Sequence, residues 1–153
     1  MKHMVRFLSK RVLAALLTLG LLTCLAPSIP AANKLSVVTA TTDLAALVQE
    51  IGGDRVEVDS IARGYQDPHF VEAKPSFLLK LRKTDLLVVV GLDLEIGWLP
   101  PLIQQSGNPK IQVGAPGYLD ASRFAKILEI PTGQVTRAEG DVHPLGNPHY
   151  WLD

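Results

Sequence analysis

The chain has 153 residues, 47% hydrophobic and 20% charged, with 15 basic and 15 acidic groups in balance, a length that suits one domain. The first 32 residues hold four basic groups (Lys2, Arg6, Lys10, Arg11) and no acid, which leaves 11 basic against 15 acidic groups in the rest, a formal charge of −4. With no basic stripe, that excess of acid argues against a nucleic-acid partner.

In residues 1–32 the basic groups precede an apolar run over 12–26, then Pro27, Pro30 and the small pair Ala31-Ala32. This order is that of a secretory signal, and the run is shorter than the roughly 20 apolar residues of a membrane span. A signal peptide over 1–32 and a domain over 33–153 are therefore expected. The only cysteine, Cys24, lies inside the run, so the expected domain has no internal disulfide. Leu21-Leu22-Thr23-Cys24 loosely resembles a lipoprotein signal, with threonine a poor fit before the cysteine. A cleaved periplasmic or secreted chain is expected ahead of a lipid anchor at Cys24.

Leu35-Ser36-Val37-Val38-Thr39-Ala40 is β-branched and predicts a buried strand. Thr41-Thr42-Asp43 offers helix caps, Leu44, Leu47, Val48 and Ile51 follow at helical spacing, and Gly52-Gly53 predicts the stop. Val56-Glu57-Val58-Asp59-Ser60-Ile61 alternates as a second strand. A loop over 63–74 carries His69, and Pro75 opens the next helix. The continuous apolar run Leu86-Leu87-Val88-Val89-Val90, closed by Gly91, predicts a central parallel strand covered on both faces. A short helix is expected around Trp98 to Ile103, a fourth strand at Ile111-Gln112-Val113, and a loop at Gly114-Ala115-Pro116-Gly117. The alternation of strands and helices predicts an α/β fold, a mostly parallel four-stranded sheet with flanking helices. Loops after its strands lie on the edge where such sheets bind ligands, and His69 follows strand two.

The expected domain has three histidines, His69, His143 and His149, all in loops beside proline or a turn. Neutral imidazole is the commonest metal ligand and suits first-row cations. Asp67, Glu72 and Asp141 are near in sequence, and each can accept a hydrogen bond from a ligand's second nitrogen. Asp93 and Glu95 would point the same way along a strand, as an acid pair, although a solvated loop is the plainer expectation. Tyr150 and Trp151 suit packing better than a ligand cage. No phosphate-binding glycine loop, nucleophile elbow or His-Glu-x-x-His helix is present.

Asp67-Pro68-His69 is followed by Glu72-Ala73-Lys74-Pro75-Ser76. The run 85–95 continues to Glu95-Ile96-Gly97-Trp98, and the chain closes on Asn147-Pro148-His149-Tyr150-Trp151-Leu152-Asp153. With the N-terminal signal and Val37-Val38-Thr39-Ala40-Thr41-Thr42-Asp43-Leu44, the chain resembles the N-terminal part of the periplasmic solute-binding proteins of zinc and manganese ABC transporters, the cluster A-I or TroA-like, ZnuA-like family. That resemblance implies two α/β lobes joined by a long helix, with a metal between them and two ligands from each lobe. Residues 33–153 would be the N-terminal lobe, with His69 and His149 as its ligand pair. His143 stands outside the general motif, either a third local ligand or a gate residue. The C-terminal lobe has no counterpart here, so the resemblance implies a fragment whose Tyr150 and Trp151 lack their cover.

The function implied is binding of Zn²⁺ or Mn²⁺ as cargo and its delivery to an ABC permease, without enzyme activity; some members of the family also take part in cell adhesion. The fragment alone is expected to bind metal weakly or not at all. The rival reading is a fragment of a secreted metal-dependent hydrolase, which needs a positioned general base that no residue supplies. A third is a stand-alone structural or adhesive domain.

Overall fold

Alternate side chains of two short strands feed two separate cores, and that division sets the architecture. The computed structural model describes residues 33–133, 135 and 142–152. The expected signal with Cys24, and Asp141, lie outside the described residues. Strands β1 (Leu35–Thr39), β2 (Val56–Ser60), β3 (Leu86–Val89) and β4 (Tyr118–Asp120) form one sheet in the order β2-β1-β3-β4, and every pairing is parallel. In β1 and β3, Val38, Leu87 and Val89 face one way, against Leu81, Trp98, Leu99, Leu102 and Ile103. Val37, Val88 and Val90 face the other way, against Leu44 and the partly buried Val48, Tyr150 and Trp151. The central strands are therefore covered on both faces, which explains their unbroken apolar run.

Helix α1 (Thr42–Gly52) begins at Thr41, whose hydroxyl accepts the Leu44 N–H, and stops at Gly53 with φ 54°. Only Leu44 of its expected stripe is buried; Leu47 and Ile51 are exposed. Helix α2 (Pro75–Lys83) starts on proline and carries Lys80, Arg82 and Lys83 in its last turn, where cations suit the helix dipole. Helix α3 (Leu99–Ser106) has proline in its first turn and ends on Gly107 with φ 64°. Among the described residues no helix is long and apolar enough to cross a membrane.

One expected element is misplaced. Ile111-Gln112-Val113 is not a strand: Pro109–Ile111 is a 3-10 turn, and the edge strand is Tyr118–Asp120. The cause is Asn108, buried beneath α2. Its amide donates to the Leu81 and Thr84 carbonyls at 2.8 and 2.7 Å, while its oxygen accepts the Lys110 N–H at 3.0 Å. Those bonds curl the chain before it can extend. Ile111 plugs the core and Val113 is left 74% exposed.

In the order β2-β1-β3-β4 the connection after β1 runs to one side and the connection after β3 to the other. The loops diverge at the carboxyl edge there, the usual position for ligands in open parallel sheets. His69 follows β2, and the turn that begins at Gly91 follows β3.

Candidate metal centre

Both expected histidine loops are built by one device. In Asp67-Pro68-His69 the Asp67 carboxylate accepts the backbone N–H of His69 at 2.9 Å; in Asn147-Pro148-His149 the Asn147 amide oxygen accepts the backbone N–H of His149 at 2.9 Å. The side chain closes a turn on the residue two places on, while the intervening proline fixes φ. The device holds each histidine without help from a helix or strand.

The copies differ in what else they do. Asp67 also touches His69 Nδ1 at 2.6 Å. A carboxylate only accepts, so Nδ1 carries a proton, and in the neutral ring this leaves the lone pair on Nε2. The two hydrogen bonds from His69, backbone first and ring second, hold the exposed Asp67 carboxyl below its usual range. Glu72 takes no such part. Asn147 instead donates to Glu129 at 2.8 Å, and its N–H donates to the Leu128 carbonyl at 2.9 Å. Pro148 is fully buried.

Sequence spacing places His143 near His149; the structure adds His69. His143 Nε2 lies 3.0 Å from His69 Nε2, with the two rings stacked at 5.0 Å between centroids. The His69–His149 and His143–His149 centroids are 5.8 and 6.1 Å apart. One nitrogen from each of the three rings lies within 4.8 Å of the others, and all three side chains are half-buried. In a tetrahedral zinc site with bonds of about 2.05 Å, neighbouring nitrogens stand roughly 3.3 Å apart. The 69–143 pair is already near that spacing, and the 4.8 Å limit leaves about 1.5 Å to close on the widest pair. The Nε2–Nε2 contact requires a proton on one of the two nitrogens, and that proton must leave before a cation can take its place.

Tyr150 and Trp151 are not uncovered. Both lie half-buried on the α1 face of the sheet, packed against the core of Val37, Leu44, Val88, Val90 and Leu94. Trp151 meets the His149 ring edge-on at 5.3 Å. The Tyr150 phenol donates to the Val90 carbonyl at 2.8 Å, and burial, with the charges of Asp120 and Glu95, pushes its pKa up, so it remains a donor.

Asp93 and Glu95 do not form an acid pair, and the solvated loop expected in its place holds for Asp93 but not for Glu95. After β3 the chain turns through three left-handed residues, Gly91 (φ 86°), Leu92 (54°) and Asp93 (64°). The two non-glycine residues each cost about 1–2 kcal/mol in that region. The turn exposes Asp93 and sends Glu95 inward, where it is 5% accessible. Glu95 accepts the Val90 N–H at 2.7 Å and the Gly91 N–H at 3.2 Å. Burial pushes its pKa from 4.5 up to about 6, against those donors, and Asp120 adds to the rise. It borders a cleft of about 520 Å³ with Gly91, Tyr118 and Asp120, which none of the three histidines lines.

Glu95 thus makes stability depend on pH. The folded chain holds this proton more tightly than the unfolded chain, so stability falls as pH rises from 4.5 to about 6, by about 2 kcal/mol in total. Denaturant titration of the wild type and Glu95→Gln across that window should show their difference moving by about 2 kcal/mol in favour of the variant as pH rises. A constant difference would mean that Glu95 does not titrate there.

Fold and donor set define the class: a parallel α/β unit that gathers imidazoles at the carboxyl edge of its sheet. The chain belongs to the zinc-uptake complex component A, periplasmic (ZnuA) family, whose model matches residues 37–153. It is 32% identical over 142 residues to the manganese ABC transporter substrate-binding lipoprotein PsaA of Streptococcus pneumoniae, covering 90% of this chain and 42% of that protein. A crystal structure of ZnuA matches with a TM-score of 0.57 at 23% identity, over 78% of this chain and 40% of that one. The Mn-bound periplasmic metal binding protein of Candidatus Liberibacter asiaticus matches with a TM-score of 0.57 at 20% identity, over 78% and 39%. At those identities the two structures speak to the fold alone. The chain spans about two-fifths of the length of these relatives.

Proposed function

We propose that residues 33–153 are the N-terminal lobe of a solute-binding protein that captures a divalent transition metal outside the inner membrane and passes it to an ABC permease. Residues 1–32 are its export signal. The convergence of His69, His143 and His149 carries this reading. Three neutral nitrogens are a better match to Zn²⁺ than to Mn²⁺, which favours oxygen ligands. They leave a fourth position for water or for another donor. The family resemblance supports binding and release rather than turnover, which weighs against the hydrolase reading.

Four-ligand structural zinc sites bind with about 10–16 kcal/mol, and three donors of four scale that to about 8–12 kcal/mol, a Kd of about 1 μM or tighter. This exceeds the weak binding expected of a fragment holding only two ligands. Titration calorimetry at neutral pH should give one zinc per chain, with Mn²⁺ at least about 100-fold weaker in competition. Equal affinity for the two ions would reject the three-imidazole site, and absence of zinc binding would reject capture by this lobe.

A further inference from the structure

We propose that Glu95 is a positioning residue for the histidine cluster, because it clamps the one turn to which both Asx-Pro-His loops are tied. The inference rests on the reading of the cluster as a metal site.

Each loop is tied by one aromatic donor. The Trp98 indole N–H donates to the Pro68 carbonyl at 2.8 Å, immediately before His69. The Tyr150 phenol donates to the Val90 carbonyl at 2.8 Å, immediately after His149. Val90 and Trp98 are the two ends of the turn between β3 and α3. The spacing of two histidines that are 80 positions apart in sequence is thus transmitted through nine consecutive residues.

Glu95 joins those two ends. Its carboxylate takes the N–H groups of Val90 and Gly91, and its own carbonyl takes those of Trp98 and Leu99 at 3.1 and 3.0 Å. The other hydrogen bonds inside the turn, Leu94 N–H to the Gly91 carbonyl at 3.1 Å and Ile96 N–H to the Asp93 carbonyl at 3.2 Å, are local and do not join its ends. Gly91, Leu92 and Asp93 are left-handed, so β3 cannot continue, and the N–H groups of Val90 and Gly91 turn to the Glu95 carboxylate. A buried carboxylate with both oxygens engaged is a rigid clamp, whereas a solvated acid at this position would leave the turn open. The turn also lies flush with the first loop: a Cβ at Gly97 would stand 3.6 Å from the His69 carbonyl.

The test compares zinc binding by calorimetry, and the visible spectrum of the Co²⁺-loaded chain, in wild type, Glu95→Ala and Glu95→Gln. Partners that orient metal ligands are worth about 10–100-fold in affinity, and Glu95→Ala should lose that much and alter the cobalt bands. Glu95→Gln should recover most of the loss, because its amide oxygen still accepts the Val90 N–H. A folded Glu95→Ala chain with wild-type affinity and unchanged cobalt bands overturns the proposal. If that variant does not fold, Tyr150→Phe and Trp98→Phe, each cutting one tie to the turn, are measured singly and together. Losses smaller than additive support a shared clamp, and strictly additive losses overturn it. If wild type binds neither ion, the metal reading fails by itself. Imidazole ¹⁵N–¹H correlations of the metal-free chain then decide: Glu95→Ala, or Trp98→Phe where that variant does not fold, must perturb the His69 and His143 ring signals, and unchanged signals overturn the positioning role.

Discussion

Replacing His143 by alanine is expected to lower zinc affinity about 100- to 1,000-fold, a loss comparable to that of His69→Ala. The estimate follows from donor number: one nitrogen of three removes roughly a third of about 8–12 kcal/mol, or about 2.5–4 kcal/mol. The comparison decides between the two roles open to His143, ligand and gate. A gate residue would change the rates of zinc entry and exit and leave the equilibrium constant in place. A ligand changes the constant. Calorimetry of His69→Ala, His143→Ala and His149→Ala, with circular dichroism to verify folding, checks this. An unaltered Kd for His143→Ala would return the site to the histidine pair that the two Pro-His motifs alone imply. The substitution should disturb the fold little, because His143 is half-buried in a loop and belongs to neither core.

Gly91→Ala should cause the larger loss of stability, about 2–5 kcal/mol. Gly91 has φ 86°, where an L side chain costs about 1–2 kcal/mol. Its new Cβ would run into Asp120 Oδ1 and stand 2.7 Å from Ser122 Oγ. Asp120 has no slack to give. Its Oδ1 accepts the Ser122 N–H at 3.0 Å and the Ser122 hydroxyl at 2.7 Å, capping the 3-10 turn Ala121–Phe124 after β4. Overpacking of this kind adds about 1–3 kcal/mol. Denaturant unfolding measures the sum, and a change below about 0.5 kcal/mol, the usual scale for a harmless surface substitution, would mean the turn relaxes freely. Zinc affinity should fall in the same variant, since the turn carries both ties to the histidine loops.

Much of this was open to a reader of the sequence, for local reasons. The run that ends at Gly91 can only be a strand covered on both faces. Pro75 starts a helix and Gly53 ends one whatever surrounds them. Each Asx-Pro-His turn closes within three residues, so the two loops were visible as loops. What stayed hidden depended on distant partners. The strand Tyr118–Asp120 has three residues and no β-branched side chain, and it is a strand because Leu87, Val88 and Val89 pair with it. The β-branched signal at Ile111 and Val113 was overruled by Asn108, whose partners lie 24 and 27 residues earlier. His143 could be named as a candidate but not assigned a role, since its contact with His69 spans 74 residues. Glu95 was misjudged for another reason. Side-chain alternation assumes an extended chain, and two non-glycine residues with positive φ break that assumption. A carboxylate three residues before a buried tryptophan and four after a strand-ending glycine was the available hint.

The chain has only two tryptophans, and the fold has assigned one to each histidine loop. Trp98 is hydrogen-bonded to the backbone before His69, and the ring of Trp151 touches the ring of His149. Tryptophan emission responds to just such neighbours: a charged imidazole quenches it, and a shifted carbonyl changes its colour. The assembly of the cluster is therefore written into the intrinsic fluorescence of the chain. Trp98→Phe and Trp151→Phe would divide that signal into one channel for each loop, with no added label.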